Sequence, residues 1–130
     1  MSIEALSIIN DAMEEMGLNY AFMEYRAKDY EPLPEMYFVG EYQELEPDSE
    51  DGEESAIFIL TGFSRGKWIQ LEEAKEKIKK CFPQTEGKTV VAEGSVIAVF
   101  YANSLPILVE NDELKEIQIN LTVKEWKVEK

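Results

Sequence analysis

The sequence predicts an α+β domain in which two helices pack on one face of a mainly antiparallel sheet of four or five strands. Two observations carry this prediction. Residues 115–124 alternate apolar and polar side chains, the pattern of a strand with one buried and one wet side, which is common in antiparallel sheets. Residues 3–16 and 68–82 place apolar side chains three and four apart, which predicts two amphipathic helices that cover the buried side.

The size of the chain suits one domain, residues 1–130, with its own core. Hydrophobic residues make up 45% of the sequence, and no apolar run reaches the ~18 residues that a membrane span needs. The first residues lack the pattern of a signal peptide, and a single cysteine, Cys81, cannot form an internal disulfide. We therefore expect a cytoplasmic protein with no membrane partner.

The net charge of -14 lies entirely in the first part of the chain. Residues 1–54 contain 16 acidic and two basic residues, whereas residues 55–130 contain 11 of each. A nucleic-acid backbone would be repelled by the acidic part, so we expect no nucleic-acid partner. The uneven distribution permits head-to-tail association of acidic and basic surfaces; simple solubility is the alternative interpretation.

The first helix has start and stop signals at both ends. Ser2 is suited to cap its N-terminus, and Gly17 is suited to end it in a left-handed turn. Residues 20–25 are then predicted to form a short strand. The aromatic and β-branched run 36–42 predicts the next strand, and Gly40 within it suggests a bulge.

An acidic loop is predicted at residues 44–54, between strand 36–42 and the apolar strand 56–63. The two strands would form a hairpin, with this loop as its tip. Self-repulsion and the breakers Pro47 and Gly52 predict a mobile loop. Metal binding is an alternative, but the spacing does not fit a calcium loop, so we favour a solvated or docking loop. Its carboxylates are Glu44, Glu46, Asp48, Glu50, Asp51, Glu53 and Glu54.

The second helix, residues 68–82, carries the densest basic cluster of the chain. Its lysines are either a solvated helix face or a surface complementary to the acidic loop of another copy. They are Lys75, Lys77, Lys79 and Lys80. The preceding Ser64–Lys67 segment has the wrong spacing for a phosphate loop and is interpreted as a turn. Cys81 has no neighbouring histidine and is interpreted as a small core residue.

The last third of the chain predicts more strands. Val90-Val91 opens a short one, residues 95–101 form another, and residues 104–106 form a loop or bulge. In the final strand the apolar positions change parity after Lys124, since Trp126 is apolar. This change predicts a bulge near Lys124-Glu125, or an end that packs elsewhere.

The residues that usually carry catalysis are missing. The chain has no histidine, which removes the usual general base and the commonest metal ligand. It also lacks a cysteine cluster for zinc. We therefore expect a protein that is not an enzyme and that has no cofactor or metal.

Several stretches together resemble small proteins encoded in the head-to-tail region of prophages of Gram-positive bacteria. These stretches are residues 36–42, the acidic loop, 58–66 and 114–126. The element order is also similar to that of phage tail-terminator and tail-completion proteins. The resemblance covers residues 36–126 best, and this family has no catalytic residues to transfer.

The resemblance implies a structural role in virion assembly. Such proteins cap or complete the tail tube and join it to the head connector, as a ring that is often six-fold. The implied partners are other copies of the chain and the tail-tube or head-connector proteins. The implied location is the cytoplasm of the bacterial host, and the virion where the phage assembles. A ring needs a heterologous interface, which the charge distribution also permits.

Two other function classes stay open on the sequence. One is an acidic inhibitor or DNA mimic that blocks a basic enzyme surface; it requires carboxylates on rigid strands and helices. The other is a small-ligand binding domain with an apolar pocket. Its aromatic lining would come from Tyr37, Tyr42, Trp68 and Tyr101.

Overall fold

The computed structural model of this chain describes residues 1–46, 52–108 and 113–127. The elements in chain order are α1 (Ile3–Glu15), β1 (Tyr20–Phe22), β2 (Met36–Glu44), β3 (Glu53–Ser64), α2 (Trp68–Cys81), β4 (Lys88–Ala92), β5 (Ser95–Ile107) and β6 (Lys115–Lys127).

The strands form one six-stranded sheet in the order β1-β2-β3-β6-β5-β4. β1 runs parallel to β2, and the other neighbouring pairs are antiparallel. The α+β prediction is confirmed, but the sheet is mixed and has six strands rather than four or five. The difference arises at the edges, where the short β1 and β4 each pair with a single neighbour and complete the sheet.

Both helices contribute to the same core, on one face of the sheet that we call the core face. The register brings Phe58 opposite Leu121 and Leu60 opposite Ile119, so the even positions of β3 and the odd positions of β6 share this face. All four side chains are fully buried. The helices cover them with Ala5, Ile9, Ala12, Met13, Leu71, Ala74 and Ile78. The opposite side of the sheet is called the open face.

The predicted β2–β3 hairpin is confirmed, and its strands extend further than the sequence suggested. β2 continues to Glu44 and β3 begins at Glu53, so Glu44, Glu53 and Glu54 lie in strands and not in the predicted loop. Repulsion among the carboxylates does not end the strands because β6 lies beside β3 and supplies lysines there. Asp48, Glu50 and Asp51 of the predicted loop lie outside the described residues.

Gly40 does not form the predicted bulge, since the β2–β3 register is continuous through it. A side chain is excluded at this position for a packing reason. A Cβ built on Gly40 would lie 2.5 Å from Cζ of Phe58 and 2.7 Å from the hydroxyl of Tyr20. The glycine therefore makes room for the Phe58 ring on the core face.

The bulge predicted near Lys124-Glu125 is also absent, because β6 keeps its register with β3 and β5 through Trp126. Glu125 occupies the core-face position and is 6% exposed, while Trp126 lies on the open face. The change in parity therefore marks a buried carboxylate. The irregularity of β5 lies between Tyr101 and Asn103, just before the segment predicted to be a loop or bulge.

Both helices have defined starts. Ser2 caps α1 as predicted, since its hydroxyl accepts a hydrogen bond from the amide of Ala5 at 3.1 Å. Gly17 adopts the left-handed conformation predicted after α1, with φ 73°. Before α2, the buried Ser64 hydroxyl donates to Oε1 of Gln70 at 3.1 Å and accepts from the amide of Gly66 at 3.0 Å. This network satisfies polar groups at the turn into α2.

Candidate docking surfaces

The described carboxylates of the predicted acidic loop lie at the end of the β2–β3 hairpin. We call this group, Glu44, Glu46, Glu53 and Glu54, the acidic hairpin end. Glu44 accepts a hydrogen bond from the amino group of Met1 at 2.5 Å. This hydrogen bond, together with the positive charge, lowers the pKa of the Glu44 carboxyl.

The two acids that begin β3 form ion pairs with β6. Glu53 lies 3.7 Å from Nζ of Lys124, and Glu54 lies 3.6 Å from Nζ of Lys127. The side chains are partly or largely exposed, so each pair contributes about 0–1 kcal/mol to folding. A binding partner with basic side chains could therefore replace these ion pairs at a small cost in free energy.

A polar cleft of about 330 Å³ lies beside the acidic hairpin end. Three carboxylates line it, from Glu44, Glu54 and Glu125. Each is already engaged: Glu44 with the Met1 amino group, Glu54 with Lys127, and Glu125 with the amide and hydroxyl of Ser2. Over the part of the chain that the structure describes, His, Cys, Asp and Glu residues form no group suited to hold a metal ion.

The four lysines of α2 lie on two flanks of the helix. Lys75 and Lys79 are four residues apart and share one flank. Nζ of Lys79 lies 5.4 Å from the centre of the Tyr101 ring in β5. Lys75 pairs with Glu72, and this hydrogen bond raises the pKa of the Lys75 ammonium. We call Lys75 and Lys79 the β5-side lysine flank.

The other two lysines lie at different positions around the helix. Lys77 lines a cleft of about 280 Å³ together with Gly17 and Leu18, near the end of α1, and Lys80 is exposed. Helical periodicity places Lys77 roughly opposite the β5-side lysine flank and Lys80 about 100° around the helix from Lys79. The predicted basic face is therefore divided, and Glu76 lies between Lys75 and Lys77 along the chain.

The acidic hairpin end and the α2 lysines do not neutralise each other within the chain. The ion pairs that the structure gives for the hairpin end go to Met1, Lys124 and Lys127. Lys75 instead pairs within α2, and Lys79 lies over Tyr101. Two surfaces of opposite charge are therefore presented at different places on one molecule.

The open face of the sheet is a feature that the sequence analysis did not single out. Tyr25, Tyr37 and Phe63 form an aromatic row, with ring centres 5.1 and 5.2 Å apart. Beside it lies a carboxamide row, in which Asn120 donates to Asn103 at 2.7 Å and Gln118 donates to Asn120 at 3.1 Å. The sequence contained one indication of this surface: β3 is apolar at odd as well as even positions, and its odd residues Ile57 and Ile59 lie on the open face.

The four aromatic residues of the small-ligand hypothesis are not brought together. Tyr37 lies on the open face, whereas Tyr42 lies on the core-face side, where its ring stacks on Phe22 with 6.0 Å between centres. Tyr101 is buried in the core. Trp68 lies at the start of α2, beside Leu108 and Pro106. These positions do not form a common pocket wall.

Cys81 is half-buried at the end of α2 and packs against the core, as predicted. Burial raises the pKa of its thiol, although the nearby charge of Lys88 opposes this effect. Because the thiolate is the reactive form, this environment makes Cys81 a weak nucleophile at neutral pH.

Neither helix in the described ranges has the length and apolar character needed to cross a membrane. No protein-family model matches the sequence, and no curated protein matches it either.

Proposed function

We propose that this chain is a non-enzymatic phage assembly protein, a tail-terminator or tail-completion component that joins the tail tube to the head connector. It works by binding other proteins, namely further copies of itself in a ring and the tail-tube or head-connector proteins. The resemblance over residues 36–126 and an α+β fold with two helices on one face of a sheet support this proposal.

The observation that carries the proposal is the separation of the two charged surfaces. A ring requires that one surface of each copy bind a different surface of the next copy. The acidic hairpin end pairs with Met1, Lys124 and Lys127, and not with α2, in the described ranges. Within the β5-side lysine flank, Lys75 is paired with Glu72, and Lys79 is the lysine available to the acids of a neighbouring copy. Complementary charge favours that orientation.

One structural observation favours the second candidate, an acidic inhibitor or DNA mimic. That function needs carboxylates on rigid elements, and Glu44, Glu53 and Glu54 lie on paired strands rather than on a loop. The two candidates differ in the protein that would be bound, which is a virion protein in one case and a basic enzyme in the other.

A pull-down from the source cells after prophage induction tests the proposal. The tagged chain is recovered, and the bound proteins are identified by mass spectrometry. We expect tail-tube or head-connector proteins among them. Recovery of a nuclease, polymerase or toxin without any virion protein would contradict the assembly role and favour the inhibitor.

Two charge-reversal variants test whether the hairpin binds the virion proteins. In the test variant, Glu46→Lys and Glu50→Lys change two acids of the predicted acidic loop. In the matched control, Glu14→Lys and Glu15→Lys make the same change in charge on exposed positions of α1. We expect loss of the captured virion proteins with the first variant and retention with the second.

A further inference from the structure

The two lateral edges of the sheet are stepped, because each edge strand pairs with only part of the strand beside it. β1 pairs with Phe38–Gly40 of β2, which leaves residues 41–44 as the β2 open edge. β4 pairs with Ser95–Val99 of β5, which leaves residues 102–107 as the β5 open edge. In the described ranges, neither open edge has a backbone hydrogen bond on its outer side.

Unpaired strand edges are templates for pairing with another chain. Natural proteins blunt such edges with bulges and prolines, and the β5 open edge has an irregularity at Tyr101/Asn103 and a proline, Pro106, which has no amide to donate. The remaining residues of this edge keep their backbone groups, and the edge carries exposed apolar side chains. Leu105 is 48% exposed, and Leu108, just beyond the strand, is 93% exposed. Trp68 of α2 lies beside Leu108 and Pro106 and extends the apolar surface.

The β2 open edge has the complementary properties. Its apolar residue is Tyr42, which stacks on Phe22 of the adjoining β1; the two are 36% and 40% exposed. Its charge is negative, from Glu41 and Glu44, and Glu46 follows just beyond the strand.

Beside the β5 open edge, Lys79 lies over the Tyr101 ring. Lys75 is paired with Glu72, which lies next to Trp68 and Pro106. Lys79 is therefore the cation that this edge offers to an acidic partner.

The strand directions allow the two open edges to pair when the copies share one orientation. β2 is antiparallel to β3, β3 to β6 and β6 to β5, so β2 and β5 run in opposite directions. The β2 open edge is the C-terminal end of β2, and the β5 open edge is the C-terminal end of β5. Because the two strands run in opposite directions, these two edges lie at opposite ends of the sheet. The step beside β4 of one copy can therefore receive β2 of the next copy.

We propose that the β5 open edge of one copy binds the β2 open edge of a second copy as an added antiparallel strand. The contact continues the sheet from copy to copy and keeps the same face outward. Tyr42 and Phe22 then lie near Trp68 and Leu108, and Glu44 lies near the β5-side lysine flank. This inference deepens the proposed function, since it rests on self-assembly and names the surfaces that join.

Site-specific cross-linking tests the contact. Two variants are made in a Cys81→Ala background: Gln43→Cys on the β2 open edge and Leu105→Cys on the β5 open edge. Both side chains lie on the open face and are exposed, and cross-strand neighbours have Cβ atoms about 4.5–5.5 Å apart. A short bismaleimide is added to each variant alone and to the mixture, at concentrations up to roughly 1 mM, where weak contacts are populated.

We expect a cross-linked dimer in the mixture and not in either variant alone. A third variant, Asp11→Cys on the exposed side of α1, controls for random collisions. Cross-links of similar yield with the control, a dominant Gln43→Cys homodimer, or no dimer at the highest concentration would each overturn the proposal.

Charge exchange gives a second measurement on the same contact. Lys79→Glu in the Leu105→Cys copy should lower the cross-linking yield about fivefold, the scale of one exposed ion pair. Glu44→Lys in the Gln43→Cys copy should then restore the yield. No loss with the first change, or no recovery with the second, would contradict the assigned orientation.

These results separate the inference from the proposed function. A dimer in the mixture, together with a pull-down that lacks virion proteins, would support the edge contact and refute the assembly role. Virion proteins in the pull-down, without a dimer in the mixture, would refute the edge contact and leave the assembly role standing.

Discussion

The hydroxyl of Ser2 lies 3.0 Å from Oε1 of Glu125, and the amide of Ser2 lies 2.9 Å from the same oxygen. One buried carboxylate thus binds the residue that caps α1 and connects the first helix to the end of the last strand. Its position at the positive end of the helix is electrostatically favourable. This contact spans 123 positions of sequence and fixes α1 on the core face.

Replacing Glu125 should destabilise the fold. Glu125→Ala leaves the Ser2 amide without its buried acceptor, and we expect the free energy of unfolding to fall by about 1–3 kcal/mol. Urea denaturation measures the change. Glu116→Ala, on the open face of the same strand, is the control and should stay within about 0.5 kcal/mol of wild type. Equal effects of the two substitutions would contradict the assigned role of Glu125.

Adding a methyl group at Gly40 should overpack the core. A Cβ there would lie 2.5 Å from Cζ of Phe58, so Gly40→Ala should cost about 1–3 kcal/mol of folding free energy. Phe58→Leu removes the ring atoms in the way, and in that background the same Gly40→Ala change should cost less. A double-mutant cycle by thermal or urea denaturation measures this coupling. Additive losses would show that the Phe58 ring is not the obstacle.

Tyr20 should make stability decrease at alkaline pH. Burial raises the pKa of its phenol to about 12 in the folded chain, against about 10 in the unfolded chain. Between these two values the folded state holds a proton that the unfolded state has lost, so unfolding becomes more favourable as pH rises. From pH 9 to 12 the wild type should lose more unfolding free energy than Tyr20→Phe. Parallel pH profiles for the two proteins would refute this contribution.

Cys81 should react slowly while the chain is folded. Its half-buried position raises the pKa of the thiol, and alkylation proceeds through the thiolate. We expect iodoacetamide to modify Cys81 more slowly at pH 7.5 than it modifies Leu105→Cys in the Cys81→Ala background. Denaturation should make the two rates similar. Rapid modification of native Cys81 would indicate an exposed, activated thiol.

Local patterns were sufficient to predict most of the regular structure. The three- and four-residue spacing predicted both helices, and Ser2 and Gly17 marked the limits of α1. The period of two in residues 115–124 predicted β6 on one side of the core. These predictions succeeded because neighbours in sequence determine which side chains share a face.

The site was less predictable, because its surfaces depend on contacts between distant segments. The sequence identified the acidic cluster and the lysines of α2, but it did not indicate that Glu44, Glu53 and Glu54 lie in strands or that the lysines lie on two flanks. Lysines from β6 and the packing of α2 against β5 decide those positions. The open edges follow from the short pairing of β1 and β4, which no local pattern encodes.

By itself, the sequence determined the α+β class, the two amphipathic helices, the hairpin strands and the uneven charge, since each is a property of local spacing or composition. Only the tertiary structure showed why a side chain is excluded at position 40 and why Glu125 occupies a core position. It also decided the order of the six strands and the separation of the acidic and basic surfaces. The physical reason is that packing and hydrogen bonding join residues that are far apart in the chain. The local sequence around either residue does not specify its distant partner.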